Sequence, residues 1–107
     1  MATDIDLGVF SVGDTDRFRF QLKKDKVPWD LTAATVTFTF NRPENEGGGS
    51  FDRVATIESP KTDGWVHYDS TVNDLDVDGN WTLDVLVEDG AVIKNYPYEI
   101  GFEVIAH

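Results

Sequence analysis

The feature that most constrains this chain is the alternation Thr35-Val36-Thr37-Phe38-Thr39-Phe40. Side chains of a β-strand point to opposite faces with period two, so Val36, Phe38 and Phe40 share one face and the threonines the other. Thr, Val and Phe all suit a pleated, half-buried surface. A strand with one wet and one dry face needs a second layer over the dry one, so this stretch by itself asks for a layered β fold. The residues before it, Val27-Pro28-Trp29-Asp30-Leu31, read as a turn and lead-in. Pro28 has no N–H to give to a ladder and biases Val27 towards an extended conformation. Trp29 and Leu31, two apart, are placed to pack under that turn.

The same period recurs along the chain. Residues 4–10 are short and mixed and read as an edge strand, followed by a turn through Gly13. Phe18, Phe20 and Leu22 alternate with Arg17, Arg19 and Gln21. Residues 41–50, with Gly47-Gly48-Gly49, read as a surface loop. No Lys-Ser/Thr pair follows those glycines and two glutamates precede them, so this is not a phosphate-binding loop. Residues 51–58 are a weak strand in which Val54, Ala55 and Ile57 give no firm register. Residues 65–68 are a short strand, and residues 71–78 hold an irregular or helical turn. Trp81, Leu83, Val85 and Val87 alternate with Thr82, Asp84, Leu86 and Glu88. Asp89-Gly90 is a hairpin signal leading to Val92 and Ile93. Tyr96-Pro97 interrupts the return, and Tyr98, Ile100, Phe102 and Val104 form the last row.

This pattern contains no convincing amphipathic helix. It predicts an all-β fold, an antiparallel immunoglobulin-like β-sandwich of roughly seven or eight strands formed by one domain over residues 1–107, with a small barrel as the other architecture. The Cys-Trp-Cys signature of antibody domains is absent, since the chain has no cysteine, and thiolate metal sites and disulfides are excluded with it. Residues 1–4 lack the basic and apolar regions of a signal peptide. No apolar run is long enough to cross a bilayer as a helix. Twenty acidic against nine basic residues give a formal charge of −11. Phosphate contacts dominate nucleic-acid affinity, so this balance predicts no nucleic-acid partner, and it disfavours anionic membrane surfaces equally.

The sharpest local motif is Asp74-Leu75-Asp76-Val77-Asp78-Gly79. Acids at the first, third and fifth places with glycine at the sixth form the front half of a calcium loop, in which carboxylates converge on one hard cation. The back half fails, because Val85 stands where a bidentate Glu is required. Asp74, Asp76 and Asp78 are therefore a weak calcium candidate. The competing reading is a solvated turn whose Leu75 and Val77 plug into the core, and the expectation is that the chain holds no metal and no cofactor. His67 lies near Asp63 and Asp69, but no serine sits in a nucleophile elbow and the other histidine is His107, so no catalytic set assembles and no enzyme is expected. Trp29, Trp65 and Trp81 with Tyr68, Tyr96 and Tyr98 are candidates for a sugar-stacking face, although Trp81 falls in an inward row. Together the acids and aromatics define one functional alternative, a calcium-dependent carbohydrate-binding module.

A second reading comes from order. Gly13-Asp14 opens the strand at residues 17–22. A charged turn leads to Pro28-Trp29-Asp30-Leu31-Thr32-Ala33-Ala34-Thr35-Val36. Thr62-Asp63-Gly64-Trp65 follows, then residues 75–79 leading into Trp81-Thr82-Leu83, then a closing strand through Phe102 and Val104. This order resembles the N-terminal domain of phage baseplate upper proteins, and Asp30 to Val36 is its most specific part. The resemblance implies an immunoglobulin-like phage virion module without catalysis, located in the virion, whose partners are other phage virion proteins. It leaves open a docking or adaptor module of the tail or baseplate, a small capsid decoration protein, and self-association as a homo-oligomer in the particle. It carries over no binding residues. The threonine face and the free sheet edges are the surfaces available for contacts.

Overall fold

The computed structural model describes residues 5–24, 26–43, 48–90, 92–95 and 100–106. The expected break at Tyr96-Pro97, Tyr98 of the last row, His107 and the centre of the glycine loop lie outside them. The strands are β1 (Ile5–Ser11), β2 (Arg17–Gln21), β3 (Lys23–Lys24), β4 (Val27–Pro28), β5 (Ala34–Asn41), β6 (Ser50–Val54), β7 (Thr56–Ile57), β8 (Trp65–Asp69), β9 (Gly79–Asp89), β10 (Val92–Asn95) and β11 (Ile100–Ile105). The larger sheet has the order β1-β11-β9-β5-β6, with β10 also on β9. The smaller has the order β2-β8-β7, and β3 and β4 pair as a short ribbon. One 3₁₀ turn, Lys61–Asp63, precedes β8.

The two sheets face each other across one core. Phe18 and Phe20 on β2 meet Phe102 on β11 and Phe38 on β5 at ring-centroid distances of 5.1 Å in both cases. Val36, Phe38 and Phe40 are fully buried, and so is the inward row of β9, Trp81 to Val87. The period-two reading therefore holds for β2, β5, β9 and β11, each of which buries every second residue.

Three features depart from the expected architecture. The hydrogen-bonded strands number eleven among the described residues, because three of them are two-residue ladders that sequence alone reads as turn or strand end. One pair is parallel: β1 runs alongside β11. The turn after β1 carries the chain out of the larger sheet into the smaller one, so β1 cannot pair with its sequence neighbour and is left beside the last strand. Finally, the weak strand at residues 51–58 is two strands in two sheets. Buried Ala55 donates its N–H to the Val36 carbonyl (2.8 Å), and one residue later the chain is pairing with β8. Its inward positions are Phe51, Arg53, Ala55 and Ile57, while Val54 faces out at 69% exposure. An inward arginine beside an outward valine inverts the hydropathy alternation and hides the register.

Asp30 organises the entry to β5. Its carboxylate accepts from the Thr32 N–H and hydroxyl, an Asx turn. The Ala34 N–H then closes on the Leu31 carbonyl at 3.0 Å, and Leu31 drops into the core fully buried.

Candidate interaction surface

The acidic motif at residues 74–79 forms a clamp. The Asp74 side chain is 1% exposed. It accepts from the Tyr68 hydroxyl (2.6 Å), the Thr71 N–H (2.8 Å) and Arg53 Nη2 (3.0 Å). Arg53 Nε also donates to the Tyr68 hydroxyl at 3.1 Å, closing a triangle between β6, β8 and the loop. Burial pushes the Asp74 carboxyl up, and the donors outweigh it, so its pKa lies below the ordinary 3.8. Burial, then the bond to Asp74, pushes the Tyr68 hydroxyl up. Asp76 turns the other way, to Arg42 Nε at 3.0 Å, and the Arg42 guanidinium lies 4.8 Å from the Phe51 ring centre. Asp78 is exposed. The three acids are thus not brought together: two of them meet separate arginines. Among the described residues no three His, Cys, Asp or Glu side chains form a group suited to a metal. Leu75 is fully buried and Val77 packs against the core, as the plug reading required.

The other candidates also separate. His67 Nδ1 lies 2.8 Å from Glu58 Oε2, not beside Asp63 or Asp69, and Arg19 grips the same carboxylate. That Arg19 bond, with help from His67, holds Glu58 below its ordinary pKa despite desolvation. Trp81 is core; its indole N–H donates to the Val77 carbonyl at 3.1 Å. Trp65 lies under the Arg19 guanidinium (4.0 Å), and Trp29 lies beside Lys24 (5.6 Å). With Trp81 inside the core and a cation over or beside each of the other two rings, the three do not build one open stacking face.

The threonine ladder, by contrast, belongs to a continuous surface. Register places Thr37 between Val54 of β6 and Leu86 of β9, and Thr39 between Asp52 and Asp84. Asn41 lies between Ser50 and Thr82, and Thr35 lies beside Glu88, which in turn faces Ile93 of β10. The polar groups tie neighbouring strands together: Thr39 Oγ1 donates to Asp52 (2.7 Å), and Asn41 Nδ2 donates to Asp84 (3.0 Å). Ile93 stands 64% exposed among them. Sequence reasoning identified the threonines but not the flanking acids and apolar residues, because only strand pairing says which residues stand beside them. It also missed Arg42 and Arg53, which carry no local signal of their clamp role. Among the described strands, β1, β6 and β10 on the larger sheet and β2 and β7 on the smaller each pair on one side only.

This arrangement offers contact surface and cross-strand order. The chain matches the family model of the BppU N-terminal domain over residues 4–96. No curated protein matches it. The turn at Asp30, the strand it launches and the loop that plugs Leu75 into the core all fall within the matched span, and the chain belongs to the BppU N-terminal domain family, that of the phage baseplate upper proteins.

Proposed function

We propose that this chain is a non-enzymatic docking module of the phage tail baseplate, a single domain over residues 1–107 with an immunoglobulin-like sandwich architecture. It holds other virion proteins through the outer face and edges of its larger sheet. The family supports the baseplate in preference to a capsid decoration role. The observation that carries the reading is the outer face itself, a broad surface of threonines, acids and exposed aliphatics laid over a tightly packed aromatic core. A rigid core beneath a pre-ordered face lowers the ordering cost of association. Self-association in the particle, through the sheet edges rather than the outer face, is compatible with this reading.

The test is the composition of purified virions of the source phage. Particles banded by density and analysed by mass spectrometry should contain the chain, and labelled antibody should mark the tail end. Its absence from intact particles would refute the reading.

A further inference from the structure

The charges on the larger sheet are segregated. Its outer face carries Asp52, Asp84, Glu88 and Glu103 and, among the described residues, no outward cation. Lys94, the one cation on β9, β10 and β11, sits in register with Val87, on the other side of the pleat. Arg53 of β6 likewise turns inward to Asp74. The partners that the two ladder acids do have are neutral, Thr39 and Asn41, so their charge stays uncompensated. Between these acids stand Val54, Leu86 and Ile93. The outer face of the smaller sheet is different. There Arg17 pairs with Asp69 at 2.7 Å and Arg19 with Glu58 at 2.8 Å, so its charges are already matched within the molecule.

We infer that the outer face of the larger sheet docks a Lys/Arg-bearing, partly apolar face of a different virion protein. A second copy presenting the same face would set carboxylates against carboxylates, which is costly. The smaller sheet of a second copy has no unmatched cation to offer. A basic surface supplies what is missing, while the aliphatic side chains between the acids supply contact that loses water on docking. This inference rests on the docking function proposed above and adds the face and the chemistry of its partner.

The experiment uses particles of the source phage assembled without this chain and then incubated with purified protein. Wild type is compared with Asp84→Lys/Glu88→Lys and with a control carrying Thr56→Lys and Asp63→Lys on the smaller-sheet side. All positions are exposed, and thermal unfolding verifies that each variant is folded. The expected result is loss of incorporation by about tenfold or more for the larger-sheet reversal, none for the control, and weaker wild-type incorporation as salt rises. A photo-crosslinker at Ile93 should join the chain to a peptide rich in Lys and Arg from another protein. Equal incorporation of the larger-sheet reversal, or crosslinking to a second copy of this chain, overturns the inference and leaves the docking function standing. Failure of wild type itself to join the particles overturns both.

Discussion

Truncating Asp74 tests the account of the acidic loop most directly. Its carboxylate is almost fully buried and takes three donors, from Tyr68, Thr71 and Arg53. Removing one partner of a buried pair costs about 3 to 5 kcal/mol. Here the low end applies, because the Arg53 side chain is 40% exposed and water can replace part of what it loses. The Tyr68 hydroxyl and the Thr71 N–H are less easily rehydrated, at about 1 kcal/mol each. Asp74→Ala should therefore destabilise by about 3 kcal/mol, and the isosteric Asp74→Asn by about half of that. For a domain of this size the alanine variant corresponds to a fall in Tm of about 10 to 20 °C. Urea unfolding measures it, with the m-value unchanged if only stability has moved. Tyr68→Phe alone should cost about 1 kcal/mol, and the double variant should lose less than the sum, because both substitutions remove the same bond. A loss for Asp74→Ala below about 1 kcal/mol, or strict additivity with Tyr68→Phe, would refute the clamp.

Other expectations follow from the same geometry. The pKa of Asp74 is depressed in the folded state, so its contribution is fully present above the ordinary 3.8 and is lost as pH falls through the depressed value; acid titrations of stability should be steeper below pH 4 for wild type than for Asp74→Asn. Asp76→Ala should cost only about 0.5 kcal/mol, since its pair with Arg42 is open to solvent on the Asp76 side. Millimolar calcium should leave the unfolding midpoint of wild type unchanged, and a rise abolished by Asp76→Ala would restore the metal reading. Gly64 has φ +78, and a Cβ there would run into the Leu22 carbonyl and stand 3.0 Å from the Trp29 nitrogen. Gly64→Ala should accordingly lower stability by about 2 kcal/mol or more in chemical denaturation.

Sequence was decisive wherever a strand obeys its own period. The inward rows of β2, β5, β9 and β11 follow from alternation, because in each of those strands every second residue is apolar and buried, even where Leu86 and Ile105 put an aliphatic on the outer side. The lack of cysteine and the acidic balance are likewise matters of composition, and the order of turns around Asp30 and Gly64 carried the family. Pairing decided the rest. Whether Asp74 and Asp76 gather a cation depends on Arg42 and Arg53, residues over twenty positions away that only the fold brings to the loop. The split of residues 51–58 between two sheets was illegible because Arg53 faces in and Val54 out. The acidic outer face could not be seen from any one strand, since it is assembled across five of them by register. Local period is written along the chain, whereas the neighbour across a ladder is chosen by long-range packing, and in this protein both the clamp and the docking face are made of such neighbours.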